Sequence, residues 1–106
     1  MDKVFAALAD ATRRDIVLRV LREEASVSTL ARNYRMSFAA VQKHVSVLER
    51  ARLVRKERRG REQIVRGDVG PIRAAARLLG EYEDLWRARI GRVEGILAEP
   101  PGGDAR

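Results

Sequence analysis

Residues 26–48 read SVSTLARNYRMSFAAVQKHVSVL, and this stretch predicts the centre of the fold. Ser26 and Ser37 each precede a helical pattern, and serine is a preferred helix N-cap because its hydroxyl accepts a backbone N–H of the first turn. Apolar residues at helical spacing predict a buried stripe on each helix: Val27, Leu30, Ala31 and Tyr34 on the first, and Val41, Val45 and Leu48 on the second. Two helices joined by about three residues form a helix-turn-helix.

Two further helices are predicted before this stretch. Asp2 is the expected N-cap of the first helix, which ends near residue 10 and places on one face Val4, Phe5 and Leu8. Thr12 is the expected N-cap of the second, with Asp15 in the place of a capping-box acid. The apolar stripe of this second helix comprises Ile16, Val17, Val20 and Leu21.

After the helix-turn-helix, residues 53–57 and 62–66 alternate apolar with charged side chains around Arg59 and Gly60. This pattern predicts a two-stranded hairpin. Pro71 then suits the first turn of a final helix over 71–98. The predicted fold is therefore mainly α with a small β-hairpin, in one domain over residues 1–98, followed by a disordered tail at 99–106.

The final helix has the clearest periodicity in the chain. An apolar residue recurs every seven positions at Ile72, Leu79, Trp86 and Val93. The second seam position is interrupted only by Glu83 and is otherwise filled by Ala76, Ile90 and Leu97. A helix of this length spans roughly 42 Å, more than the preceding residues can cover. We therefore expect the seam to pack against a second copy of the chain, together with Val4, Phe5 and Leu8; the alternative is a helix that folds back onto its own domain.

The composition excludes several classes of protein. The chain has 106 residues, no cysteine and a formal net charge of +7. The lack of cysteine excludes disulfides, thiolate nucleophiles and cysteine-based zinc sites, and it suits a reducing cytoplasm. No apolar run approaches the roughly 20 residues that cross a bilayer. We therefore expect a cytoplasmic protein with no membrane partner.

Residues that could carry catalysis are scarce. His44 is the only histidine, and no phosphate-binding loop or nucleophile motif is present. Glu81, Glu83 and Asp84 cluster in the final helix, but without histidine neighbours they indicate a solvated face rather than a metal site. We expect neither an enzyme nor a bound metal or other cofactor.

The helix over 38–51 has an outward face suited to DNA. In a helix-turn-helix, the N-terminal residues of the second helix lie near base edges in the major groove. The Gln42 amide can pair with adenine N6 and N7, Lys43 can donate to guanine or a phosphate, and apolar side chains contact thymine methyls. The candidate base-reading residues are Phe38, Ala39, Ala40, Gln42 and Lys43; the alternative is an ordinary solvated surface.

Positive charge is concentrated beside this helix. Residues 52–70 contain seven basic and three acidic side chains, whereas residues 71–106 contain six of each. The hairpin over 54–66 would act as a wing that reaches the minor groove or its phosphates; the alternative is a solvated hairpin. Two arginines at the start of the second predicted helix could add phosphate contacts, and the alternative for them is surface salt bridges. The candidate backbone or minor-groove contacts are Arg13, Arg14, Ser37, His44, Arg55, Lys56, Arg58, Arg59 and Arg61.

These motifs resemble those of the ArsR/SmtB winged-helix repressors. Residues 5–14, FAALADATRR, are similar to the family's F-x-A-L-A-D-P-T-R-R opening, with Ala11 in place of proline. Residues 37–48, SFAAVQKHVSVL, are similar to its recognition helix S-x-x-x-V-S-K-H-L-x-x-L, with Gln42 in place of serine. The resemblance implies a winged helix-turn-helix homodimer that represses transcription and is released from DNA by an effector.

The departures from the family pattern concern its sensing sites. Ser26 and Ser28 stand at the positions of thiolate ligands, and the final helix has no histidine, so the resemblance implies that the known metal sites are absent. Arg52 stands where glycine commonly ends the recognition helix. Residues 85–90, LWRARI, resemble the F-W-x-x-R-L ending of a metal-independent branch, in which Trp86 either forms dimer core or lines a pocket for an unknown effector.

The main hypothesis is a homodimer bound to double-stranded DNA at a pseudo-palindromic operator. The alternative is a helical protein-interaction module without sequence-specific DNA binding, in which the last helix pairs with another protein. Structured RNA ranks third, because no aromatic residue in the basic hairpin is available to stack on bases.

Overall fold

The secondary structure comes from a computed structural model that describes residues 1–98. Its helices are α1 (Asp2–Leu8), α2 (Ala11–Arg22), α3 (Val27–Ala31), α4 (Phe38–Arg50) and α5 (Gly70–Ala98). Its strands are β1 (Ala25–Ser26), β2 (Val54–Arg59) and β3 (Glu62–Gly67). The predicted mainly helical fold with a small antiparallel sheet is confirmed. The tail predicted at 99–106 lies outside the described residues.

Serine side chains begin the two helices of the helix-turn-helix, as predicted. The Ser26 hydroxyl accepts the Thr29 N–H at 3.0 Å, and the Ser37 hydroxyl accepts the Ala40 N–H at 3.1 Å. Each bond satisfies one of the backbone donors that the first turn of a helix leaves unpaired. The start of α4 is therefore fixed by a local interaction.

The predicted caps of the first two helices are wrong. Met1 precedes α1, and Asp2 lies within the first turn. Asp10 rather than Thr12 caps α2, because its carboxylate accepts the Arg13 N–H at 3.0 Å. That hydrogen bond is the largest cause of a pKa of Asp10 below its ordinary value. A carboxylate is a stronger acceptor than a threonine hydroxyl, and the helix accordingly begins earlier than expected.

Tyr34 holds the segment after α3 against α2. Its hydroxyl donates to the Asp15 carboxylate at 2.6 Å, and Arg19 Nε donates to the same carboxylate at 2.8 Å. These two donors hold the pKa of Asp15 below its ordinary value. Burial and the bond to Asp15 raise the pKa of Tyr34 to about 12. Asp15 therefore links two elements instead of completing the predicted capping box.

The hairpin belongs to a three-stranded antiparallel sheet in the order β1-β3-β2, whereas the sequence predicted two strands. The additional strand pairs Ala25 with Val65 and Ser26 with Ile64. Two residues are too few to show an alternating pattern, so only the pairing with β3 reveals β1. Gly60 lies in the turn between β2 and β3 with φ of 60°, a conformation that glycine adopts without steric cost.

The core lies between the helices and the sheet. Val41, Val45 and Leu48 on α4 are at most 1% exposed, as their spacing predicts. They share the core with the other fully buried large side chains, which are Ile16, Leu30, Leu53, Val54 and Val65. Complete burial of a side chain of this size stabilises the fold by about 1.5–3 kcal/mol. The core therefore determines which side of α4 faces inward.

The chain divides into two compact units, Met1–Ala75 and a unit that begins at Ala76. In the first, Val4 is buried in the core, and Leu8 and Ile72 pack against it. These three predicted interface residues are thus largely occupied within their own chain, whereas Phe5 is 37% exposed. No helix within residues 1–98 is long and apolar enough to span a membrane.

In the second unit, the predicted seam of α5 is turned to solvent. Leu79, Trp86, Val93 and Leu97 are 45–79% exposed, and Ile90 is half-buried. A side chain built at Gly80, Gly91 or Gly95 would meet no atom of residues 1–98 within 4 Å, so these glycines do not mark a close helix contact in the described part of the chain.

Arg52 ends α4 in a left-handed backbone conformation, with φ of 61°. The Arg52 N–H donates to the Glu49 carbonyl at 2.9 Å, and the Leu53 N–H donates to the Leu48 carbonyl at 3.0 Å. This pair of bonds defines the Schellman motif, in which glycine is the usual left-handed residue. A residue with a Cβ atom is strained in that conformation by about 1–2 kcal/mol.

We expect Arg52→Gly to stabilise the protein by about 1 kcal/mol, because glycine removes this strain. The measurement is urea unfolding at one fixed protein concentration. Arg52→Ala is the matched control: it removes the guanidinium but keeps the Cβ atom, and its stability should stay within about 0.5 kcal/mol of the parent. Equal stabilisation by both variants would show that the side chain, not the backbone, is responsible.

Candidate nucleic-acid interface

The side of α4 opposite the core is exposed. Because successive helical residues are rotated by about 100°, burial of Val41, Val45 and Leu48 turns the other residues outward. Phe38 is 46% exposed, and the neighbouring exposed residues are Ala39, Gln42 and Lys43. Ala40 is half-buried at the shoulder of the helix, so it is the least accessible of the five predicted base-reading residues.

This exposed face continues into a groove between α4 and β2. The groove is lined by Ala39, Gln42, Lys43, Ser46, Val47, Arg50 and Lys56. The Lys56 ammonium lies 3.3 Å from the Glu49 carboxylate, which ties β2 to α4. The sequence analysis missed Ser46 and Arg50, although two successive helical steps would have found them, three residues from Lys43 to Ser46 and four from Ser46 to Arg50.

The cations of the β2–β3 hairpin, here called the wing, differ in whether they form ion pairs. Arg55 pairs with Asp68 at 3.1 Å, and Arg59 pairs with two carboxylates. Arg58 and Arg61 are exposed and make no ion pair within residues 1–98. The predicted wing contacts are therefore not equivalent: Arg58 and Arg61 are the ones whose charge no carboxylate within residues 1–98 neutralises.

Glu24 orients two of the wing arginines. Its carboxylate accepts from Arg59 at 2.6 Å and from Arg66 at 3.3 Å. The bond from Arg59 is the largest cause of a pKa of Glu24 below its ordinary value, and Arg59 also donates to Glu57 at 3.1 Å. Exposed ion pairs contribute little stability, so the main consequence is that Arg59 is directed toward the segment between α2 and β1.

Arg13 and Arg14 bind the C-terminal end of α1, although the sequence predicted phosphate contacts. Arg13 Nε donates to the Ala7 carbonyl at 2.8 Å, and Arg14 Nη1 donates to the Leu8 carbonyl at 2.8 Å. The last carbonyls of a helix have no intrahelical donor, and these two guanidinium groups supply one. Both side chains are therefore engaged within the chain.

His44 is likewise engaged within the chain, whereas the sequence predicted a contact to the DNA backbone. Its ring is half-buried, and Nδ1 lies 3.2 Å from Arg13 Nη1. As the acceptor from Arg13, Nδ1 carries no proton, which places the proton of the neutral ring on Nε2. Arg13 thereby joins the end of α1 to the middle of α4.

The positions of the thiolate ligands in the resembled family are used differently here. The Ser26 hydroxyl is buried, caps α3 and donates to Thr29 Oγ1 at 2.9 Å, while Ser28 is exposed. Within residues 1–98, no group of three or more His, Asp or Glu side chains is placed to hold a metal ion.

Comparisons of sequence identify related proteins. A family described as bacterial regulatory protein, arsR family, matches residues 10–56, the segment from the α2 cap into β2. The chain is 40% identical over 99 residues to the HTH-type transcriptional regulator Rv2034 of Mycobacterium tuberculosis. This match covers 92% of the chain and 90% of the relative.

Solved structures show the same fold. The ArsR-like transcriptional regulator from Rhodococcus sp. RHA1 is 33% identical, with a TM-score of 0.76 and 90% of each chain covered. The ArsR family transcriptional regulator RHA00566 is 34% identical, with a TM-score of 0.77 over 81% of this chain and 89% of that one. The homodimeric winged helix-turn-helix domain of Mb0332 from Mycobacterium bovis is 23% identical, with a TM-score of 0.64 over 78% of each chain, and supports the fold alone.

These relatives are transcriptional regulators, which confirms the predictions that the chain has a winged helix-turn-helix and is not an enzyme. The match to Rv2034 shows that the sequence similarity covers nearly the whole chain and not the helix-turn-helix alone. The chain belongs to the ArsR family of bacterial regulatory proteins and is a DNA-binding transcriptional regulator.

Proposed function

We propose that this regulator is a cytoplasmic homodimer that represses transcription by occupying a pseudo-palindromic operator. The observation that carries the proposal is the exposed surface shared by α4 and the wing. On it, Gln42 and Lys43 lie in one groove with Lys56, and Arg58 and Arg61 extend the positive charge along the hairpin. A polar helix face flanked by accessible cations suits the major groove and the phosphates beside it.

The chemistry of α4 distinguishes base reading from positioning. The Gln42 amide offers a donor and an acceptor that match adenine N6 and N7, and Lys43 is a point charge for guanine or a phosphate. Phe38 and Ala39 are suited to thymine methyls. Ser37 lies at the N-terminus of α4, where backbone N–H groups favour a phosphate.

Dimerisation is supported by the apolar surface of α5. Leu79, Trp86, Val93 and Leu97 are exposed along one seam, and an exposed apolar stripe of this length favours association with another helix. In a symmetric dimer, the same seam of a second copy would bury this apolar stripe, and Phe5 of α1 would be a further contact. Two recognition helices about 34 Å apart would then read successive turns of DNA.

We expect Gln42→Ala to relax base preference at one position of each half-site, because a bidentate amide contact contributes about 1–3 kcal/mol of discrimination. The measurement is selection from a random duplex pool, followed by fluorescence anisotropy on the selected sites. An unchanged preference would contradict the role of Gln42. If the parent protein itself selects no sequence, the chain is an interaction module instead.

We expect Arg61→Ala to weaken binding to all duplexes alike and to reduce the slope of log K against log salt by about one, since one phosphate contact is lost. Arg59→Ala is the matched control. Its effect should be smaller, because Glu24 and Glu57 already neutralise Arg59. A larger loss for Arg59→Ala than for Arg61→Ala would reverse this assignment.

We expect Leu79→Glu to yield a monomer with weakened operator binding, because a charge would be buried in the seam. Ala88→Glu is the control. Ala88 is exposed and lies nine residues after Leu79, about 180° around α5, so this variant should leave the dimer intact. Sedimentation equilibrium at micromolar concentration measures both. A parent protein that sediments as a monomer would refute the proposed dimer.

A further inference from the structure

A small cleft between α1 and α4 adjoins the groove beside the wing. Its volume is about 210 Å³, and its apolar walls are Ala6, Ala7, Val47 and Ala51. Alanine on both facing helices leaves space that a larger side chain would fill. Because a water molecule occupies roughly 30 Å³, the cleft has room for a ligand of about seven water-sized groups, such as a small ring.

The rim of this cleft is positively charged. Lys3, Arg13 and Arg50 line it, and no carboxylate does. None of the three makes an ion pair within residues 1–98. Two carboxylates lie near the rim without lining the cleft. Asp2 lines an adjoining depression that shares Lys3 and Arg50 with the cleft, and Asp10, which caps α2, lies 3.9 Å from His44 Nδ1. Apolar walls with three cations and no carboxylate in the lining are complementary to an apolar anion.

Among residues 1–98, the hydrogen bonds of the Arg13 guanidinium all go to neutral acceptors. Its guanidinium donates to the carbonyls of Ala7 at 2.8 Å and Ala6 at 3.3 Å, and to His44 Nδ1 at 3.2 Å. A guanidinium forms stronger hydrogen bonds with a carboxylate, frequently through two parallel N–H groups. The Arg13 guanidinium uses three of its five N–H donors in these bonds, so a carboxylate in the cleft would attract it through the donors that remain and shift it relative to the His44 ring.

We propose that this cleft binds a small apolar monocarboxylate and that its occupancy is transmitted to α4 through Arg13 and His44. A shift of the Arg13 guanidinium toward the ligand weakens its bond to His44, the contact through which Arg13 of α2 links the end of α1 to α4. His44 directly follows Lys43, so the change occurs beside the DNA-facing surface. The regulatory part of the inference rests on the proposed function, whereas the binding part does not.

The test of binding is titration of the full chain with sodium benzoate, followed by ¹⁵N–¹H NMR. We expect saturable shifts at the amides of Ala6, Ala7, Val47 and Ala51. Benzamide has the same shape without the charge, and it should bind about tenfold more weakly because the charge-assisted bond is lost. Inorganic phosphate should cause no saturable shifts at these amides, because it cannot use the apolar walls.

Two variants probe the walls and the charge. Ala6→Leu fills the cleft and should weaken benzoate binding about tenfold or more. Ala11→Leu is the control: Ala11 is also an exposed alanine in a helix but lies outside the cleft, so benzoate binding should not change. Lys3→Gln should weaken binding without changing the fold, which the dispersion of the NMR spectrum verifies. The proposed site would be overturned if benzoate did not bind, or if benzamide or phosphate bound as tightly as benzoate. It would also be overturned if neither Ala6→Leu nor Lys3→Gln changed the affinity for benzoate.

The test of coupling is operator binding with and without saturating benzoate. We expect benzoate to weaken binding about fivefold or more, and in His44→Ala the ratio of the two Kd values should fall to about one. Benzoate binding that leaves operator affinity unchanged overturns the coupling. Benzoate binding by a protein with no operator affinity supports the site and contradicts the proposed function instead.

Discussion

Val41, Val45 and Leu48 are buried together against α1, α2, α3 and β2, and the orientation of the exposed face of α4 depends on that burial. Once these three side chains occupy the core, helix geometry determines which residues lie on the opposite face. Gln42 and Lys43 must face solvent, and Ala40 must lie at the shoulder. The helix is thus oriented by apolar residues that never meet DNA, while its polar residues remain available to do so.

Arginine serves two purposes in this fold. Arg13, Arg14 and Arg59 satisfy carbonyls or carboxylates of their own chain, and a guanidinium suits this role because it carries five donors in a fixed plane. Arg58 and Arg61 have no such partner within residues 1–98 and stay accessible. Net charge by itself therefore does not distinguish cations that are neutralised within the fold from those that are not, whereas the pattern of ion pairs does.

The elements that were predicted well depend on local interactions. Ser26 and Ser37 bond to N–H groups three residues away, and the stripe of α4 repeats every three or four residues. The Asp10 cap of α2, also local, was missed because Thr12 offered a competing cap, whereas two other missed features depend on distant partners. The short strand β1 exists through its pairing with β3, and Arg13 meets His44 across 31 positions of sequence.

The sequence by itself determined the helix-turn-helix, the basic hairpin, the seam of α5 and the family, because periodicity, capping and motif spacing are properties of short segments. Only the tertiary structure decided that Val4 faces the core while Phe5 is exposed, that Glu24 holds Arg59, and that α1 and α4 leave a cationic cleft between them. The physical reason is that burial and hydrogen-bond partners are set by which elements pack together, and residues such as Glu24 and Arg59, 35 positions apart, come into contact only in the folded chain.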